Sequence, residues 1–203
     1  MIGIDESDGL LVLTLRRPEK ANSLTKAMLE DLDAALVATK ASAVILTGEG
    51  KVFSAGADLD EARAGLATDP VWDRLSNRIA ALPCLTIAAL NGTLAGGAMG
   101  MVLACDIRLA VPSAKFFYPV MKLGYLPQPA DPARLVALIG PARAKMILMA
   151  GAKIVADEAL AWGLVDRLVP SEALTEAART LAADALAAKP GHAGAIKAMI
   201  DAG

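Results

Sequence analysis

Cysteine, histidine and aromatic side chains are the scarce materials of this chain. Its 203 residues include two cysteines and one histidine, and aromatics make up 3%. Cys84 and Cys105 alone cannot build a disulfide scaffold. With His192 as the sole histidine, a Cys/His metal centre, which needs three or four ligands, is not expected either. A single histidine near the carboxyl end also argues against a Ser-His-Asp triad, whose geometry needs a centrally placed imidazole. So few aromatics cannot supply a base-stacking platform. Net charge is -2 and lysine and arginine do not cluster, so no nucleic-acid surface is expected. The amino terminus, Met1 to Glu6, has no basic stretch followed by an apolar one, and no signal peptide is expected. An uncharged run of about 18 residues is missing too. The most apolar stretch, Ile79 to Val111, is broken by Pro83, Asn91-Gly92, Gly96-Gly97 and Asp106-Ile107-Arg108. A buried core rather than a membrane span therefore accounts for the mean hydropathy of +0.48.

What is abundant is apolar residues, 55% of the chain, enough for one sizeable core. Leu10 to Leu15, Ala43 to Thr47, Cys84 to Leu90 and Ile107 to Val111 read as strands. Thr25 to Lys40 reads as a helix, with Met28, Leu29, Leu32, Ala35 and Leu36 at helical spacing and Thr25 as its cap. Strands alternating with helical segments point to an α/β domain. The second half is helical. Asp131-Pro132 reads as cap plus first-turn proline, Gly140-Pro141 separates two helices, and Gly151 ends the second. Asp157 to Trp162, stopped by Gly163, then Ser171 to Ala188 and Gly194 to Ala202 complete it. Residues 1–130 are expected to form the core, and 131–203 a helical region continuous with it.

Two stretches of small residues each follow a buried strand. Phe53-Ser54-Ala55-Gly56-Ala57-Asp58-Leu59 is one, and Asn91 to Gly100 is the other. Small side chains let a ligand lie against the backbone, where peptide N–H groups recognise it. One N–H from each loop would hold a developing oxyanion. Taken singly, either loop is equally an ordinary tight turn. The second stretch lacks the G-x-G-x-x-G dinucleotide pattern, and Gly50-Lys51-Val52 is not a phosphate-binding P-loop.

In combination these residues resemble the crotonase (enoyl-CoA hydratase/isomerase) family. The matching pieces are Arg17 to Leu24, Ser54 to Leu59, Asn91-Gly92 through Gly96-Gly97 to Cys105-Asp106, and Gly151 through Ala159 to Val165. Their order and spacing hold from about Leu10 to Ile200. The resemblance implies a spiral of ββα units followed by a helical region that mediates assembly into a homotrimer or homohexamer. It implies an acyl-CoA thioester as substrate, with no cofactor beyond the coenzyme A it carries, no metal, no nucleic-acid or membrane partner, and a cytoplasmic location. By motif position, the backbone N–H groups of Ala57 and Gly97 would form the oxyanion hole. Lys20, Ala21, Ala55, Gly56, Ala57, Leu59 and Gly96 would cradle the CoA and its thioester.

The chain also departs from the pattern. Hydratases of this family carry paired glutamates, and the corresponding positions here are Gly100 and Val120. Neither side chain can move a proton, a service that typically contributes 10²–10⁴-fold. Where other members place an aspartate, this chain has Gln128. Asp131 and Tyr125, with Tyr118 beside them in the sequence, are the candidates to replace the missing acids, although an Asp-Pro pair is also an ordinary helix start. Asp58 and Asp106 read as structural, binding loop N–H groups. After Met199 the chain ends within four residues, where the resemblance implies further helices over the acyl pocket. The expected function is an acyl-CoA enzyme of the hydratase/isomerase type. The alternatives are an acyl-CoA-binding protein of low activity and a decarboxylase-type member using a tyrosine.

Overall fold

The computed structural model describes residues 1–202. Its first motif is a hairpin of β1 (Ile2–Ser7) and β2 (Leu10–Leu15), paired antiparallel from Ile2↔Leu15 to Ser7↔Leu10. Asp8 and Gly9 both have positive φ, 50° and 79°, the backbone that a two-residue hairpin turn demands. Helix α1 (Lys26–Ala38) follows, capped by Thr25, whose side chain accepts the Met28 N–H as the sequence predicts.

From here the chain repeats one manoeuvre. Each turn lays one strand in a first sheet and a short strand in a second sheet, then crosses over through helix. The first turn is β3 (Ala43–Gly48), β4 (Val52–Ser54), α2 (Leu59–Arg63) and α3 (Val71–Ala81). The second is β5 (Leu85–Leu90), β6 (Thr93–Ala95) and α4 (Ala98–Leu103). The third is β7 (Ile107–Ala110), β8 (Lys115–Phe117), α5 (Val120–Leu123) and α6 (Asp131–Leu148). Then come β9 (Ile154–Val155), α7 (Ala156–Trp162), β10 (Arg167–Leu168), α8 (Leu174–Ala187) and α9 (His192–Asp201).

The larger sheet runs β1-β2-β3-β5-β7-β10 and the smaller β4-β6-β8-β9. Apart from the β1/β2 and β8/β9 pairs the ladders are parallel, as successive crossovers in one sense require. This is the expected α/β spiral of ββα units. The second half is not helix alone, because β9 and β10 extend both sheets. Among the largest fully buried side chains, Leu11, Leu13 and Ile87 come from the larger sheet and Phe53, Leu94 and Phe116 from the smaller. Helix α8 lies against β3, β5 and β7, while α3 packs between α1 and α4, and α4 against α6.

Of two helix boundaries on α6, one agrees with the sequence reading and one differs from it. Gly140, at φ 79° and ψ 164°, interrupts α6 before Pro141, so the span is two helices that meet there, as the sequence predicts. Asp131 is not the cap of α6. Ala130 occupies that position, and the Asp131 side chain makes no capping hydrogen bond. Its carboxyl is engaged elsewhere.

Candidate functional site

The first small-residue loop leaves β4 and is pinned from below by the Arg17–Leu24 segment. Asn22, fully buried at φ 51°, is its hub. Its Oδ1 accepts the Arg17 N–H at 2.8 Å, and its Nδ2 donates to the carbonyls of Glu49 at 2.9 Å and Val52 at 2.7 Å. Ser54 Oγ donates to Asn22 O and accepts the Gly56 N–H. Leu24 N–H donates to Gly56 O, and Asp58 N–H to Leu24 O, both at 2.8 Å, a parallel bridge that fixes Ala57 between them. Asp58 takes the Arg17 guanidinium at 2.8 Å and accepts the N–H groups of Asp60 and Glu61, capping α2. The bond from Arg17 holds its carboxyl below the usual carboxylate range. Asp106 likewise accepts the Thr86 N–H and hydroxyl, and Lys197 Nζ besides. Both aspartates are structural, as the sequence suggests.

The second loop leaves β6. Gly96, at φ 59°, donates to Phe117 O, and Gly97 begins α4. The two loops meet backbone to backbone. A Cβ on Gly56 would sit 2.9 Å from Ala95 O, 3.3 Å from Gly96 Cα and 3.5 Å from the Gly97 nitrogen. Glycine at φ 91° is the residue that permits this approach. Ala57 and Gly97 each stand one residue past the crossing, half-buried, and among the described residues neither N–H donates a hydrogen bond. Two unengaged donors so close together, on rigid backbone, can hold one oxygen that gains negative charge. The Trp72 ring backs this crossing, 3.4 Å from the place a Gly97 Cβ would take.

The segments expected to cradle CoA run side by side, joined by the Ala55 N–H donating to Ala21 O at 3.0 Å. Lys20, Ala55 and Leu59 are exposed on them, while Ala21 is half-buried and Gly56 buried. Lys20 makes no ion pair among the described residues, which leaves its ammonium available to an anion.

Neither acid position carries an acid of its own, as the sequence says. Gly100 and Val120 are both buried. Tyr125 lies on the surface, 37% exposed, and its hydroxyl makes no hydrogen bond among the described residues. Asp131 is 1% exposed. Its Oδ2 accepts the Tyr118 hydroxyl at 2.9 Å, and its Oδ1 has no partner among the described residues. Burial pushes the Asp131 carboxyl up to about 6, against the opposing Tyr118 bond, and burial also raises the Tyr118 phenol. Gln128 does not stand in for an acid, because its Nε2 donates to Ala67 O. Sequence reasoning names both Asp131 and Tyr118 but not their pairing, since nothing local links residues thirteen apart across a turn and a short helix. A cleft of about 980 Å³ lies elsewhere, between Leu85, Ile107, Leu138, Leu181 and Ile196, and no residue of the two small-residue loops lines it.

The chain has relatives among known proteins. The enoyl-CoA hydratase/isomerase family model matches residues 5–203. A probable enoyl-CoA hydratase of Mycobacterium leprae is 35% identical over 176 residues, 83% of this chain and 71% of the relative. A 4-chlorobenzoyl coenzyme A dehalogenase of an Arthrobacter species is 32% identical over 204 residues, 94% of this chain and 74% of the relative. The crystal structure of an enoyl-CoA hydratase from Bacillus anthracis superimposes with a TM-score of 0.90 at 35% identity, over 98% of this chain and 82% of that one.

Proposed function

The chain belongs to the enoyl-CoA hydratase/isomerase (crotonase) family, and on that premise we propose that it is an acyl-CoA enzyme that stabilises a thioester enolate between the backbone N–H groups of Ala57 and Gly97. The carrying observation is the backbone crossing of Gly56 and Gly96, which sets those two unengaged donors beside each other. Such donors need no reorganisation when charge develops, and each typically contributes about 3–4 kcal/mol to the transition state. The relatives support the substrate class, since they are named for enoyl-CoA and 4-chlorobenzoyl coenzyme A.

Coenzyme A enters as part of the substrate, along the Lys20-Ala21 and Ala55–Leu59 strip, with Lys20 meeting a phosphate as a point charge. The acyl carbonyl then reaches the crossing, and Gly96 and Gly97 present backbone rather than side chain to it. With Gly100 and Val120 in place of the paired glutamates, hydration of an enoyl thioester is slow, and lyase or isomerase turnover depends on another proton carrier. The same two residues favour a second reading, an acyl-CoA-binding protein of low turnover.

Incubation with a panel of enoyl-, malonyl- and hydroxyacyl-CoA thioesters, followed by mass spectrometry, separates the readings. A product from any of them supports the enzyme, and tight binding without product supports the binder. Gly97→Pro, shown to be folded by circular dichroism, removes one donor and abolishes turnover. An unchanged rate in that variant refutes the oxyanion hole.

A further inference from the structure

We infer that the carboxyl of Asp131 is the proton-transfer group of this site, carried in from α6 to the space that a side chain at position 100 would fill, with Tyr118 as its positioning residue; this rests on the oxyanion hole proposed above. A Cβ built on Gly100 would lie 2.6 Å from Asp131 Oδ1, 3.2 Å from Oδ2 and 3.3 Å from the carboxyl carbon. Glycine at position 100 and aspartate at 131 are therefore two halves of one exchange. Position 100 lies on α4 one turn beyond Gly97, about 4.5 Å of rise, and the side chain missing there is replaced by a carboxyl from the first turn of α6.

The carboxyl has the properties of a working acid rather than a fold support. It does not cap its helix. One oxygen is bonded to Tyr118 and so fixed in rotamer, while the other is buried with no partner among the described residues. A buried acceptor left unmet is costly, and structure alone gives no reason to keep it. Two charged groups also act on it, Arg134, which favours the carboxylate, and Asp73, which favours the acid. Burial is the larger influence and raises it, and set against the Tyr118 bond and these charges it leaves the carboxyl able to hold or release a proton near neutrality, which suits a general acid–base.

The step balances with one group. Asp131 carboxylate takes a proton from the carbon next to the thioester. The C–H bond breaks, its electron pair forms the enolate C=C, and the negative charge moves to the oxygen held by Ala57 and Gly97. The protonated Asp131 then returns the proton to the α-carbon or, in a β,γ-unsaturated thioester, to the γ-carbon, giving the α,β-isomer. No oxidant, reductant or co-reactant is consumed. One carboxyl thus suits proton exchange and double-bond shift, whereas hydration must also activate a water.

The probe is 3-butenoyl-CoA in deuterium oxide, with deuterium at the α-carbon and conversion to crotonyl-CoA followed by mass spectrometry, and thioester affinity measured by calorimetry. The native protein incorporates deuterium. Asp131→Asn binds the thioester within about twofold of native but exchanges about 10²-fold more slowly or less. Tyr118→Phe keeps most of the rate and shifts the acid limb of its pH profile upward, because the lost bond favoured the carboxylate. Gly100→Glu alone gains nothing, since its stem meets Asp131, whereas Gly100→Glu combined with Asp131→Ala recovers exchange lost in Asp131→Ala. That pair decides the matter if Asp131→Asn does not fold. Native binding without exchange, or exchange in Asp131→Asn at the native rate, overturns the assignment and leaves the oxyanion hole standing. No binding by the native protein overturns both.

Discussion

The Cα of Gly96 lies 3.3 Å from the position that a Cβ on Gly56 would occupy. Gly56→Ala should therefore fail twice. At φ 91° an alanine is strained by about 1–3 kcal/mol, and the added methyl meets Ala95 O at 2.9 Å, a backbone atom that cannot swing aside. We expect the melting temperature to fall by several degrees, at roughly 2–4 °C per kcal/mol for a chain of this size. Thioester binding should fall with it, because the Ala57 and Gly97 N–H groups proposed to hold the thioester oxygen are forced apart. Calorimetric melting and a binding isotherm on the same preparation check this, and a variant as stable as native would show that the loops do not touch.

Arg17 ties the Asn22 hub to the first turn of α2 through Asp58. Arg17→Met should cost roughly 0.5–1 kcal/mol at neutral pH, the range for a pair that is still partly solvated. The Asp58 carboxyl is held below its ordinary value, so the contribution is present above the unfolded value near 4 and disappears as pH falls through the depressed one. Urea titrations of the two proteins should differ at pH 7 and converge as the pH falls through the depressed value.

Asp131 has the opposite sign. Its folded value of about 6 exceeds that of an unfolded aspartate, so between the two the native state holds the extra proton. Its contribution is fully present below about pH 4 and lost as pH rises through 6. Across that window the native protein should lose up to about 3 kcal/mol relative to Asp131→Asn. Parallel denaturant midpoints from pH 4 to pH 8 measure it, and a difference independent of pH would mean that the carboxyl is not buried as described.

Cys84 and Cys105 are both buried, and burial pushes their thiols up to about 11 and about 12. The reactive species is the thiolate. Neither cysteine should react with a thiol-specific chromophore in the native protein over hours, and both should react at once in denaturant.

We propose that the protein assembles as a trimer or a dimer of trimers, with the segment from Asp131 onward at the contacts. Light scattering at micromolar concentration tests this, and a monomer would refute it. Closed symmetry is the usual outcome for soluble homo-oligomers.

Much of this architecture is legible in the chain because strands such as Leu10–Leu15 and Leu85–Leu90 are apolar runs interrupted by a single threonine each. The short strands β4, β6 and β8, three residues each, carry no period to read, and only their place after a long strand reveals them. Helix α3 is different: Val71, Trp72, Leu75 and Ile79 line one face and Asp73, Arg74 and Arg78 the others, a helical period that the sequence does carry. The two glycine loops are legible because glycine spacing is local. The Asp131 carboxyl is not, since an Asp-Pro pair has a sufficient local meaning as a helix start, and only the fold shows Ala130 capping instead while Tyr118 takes the side chain.

The late strands have a consequence for how the molecule comes into being. β10 pairs with β7 through Arg167↔Leu109, and β9 pairs with β8 through Phe116↔Ile154, so each ladder closes only when chain some forty to sixty residues further on has been made. Such distant pairings make folding slow. While the chain is being synthesised, β7 and β8 wait with open edges, and an open edge is a template for the wrong neighbour. A nascent chain halted before Ile154 should therefore hold both glycine loops yet aggregate on release, and the passage from that state to the finished sheet is the step at which a chaperone would act.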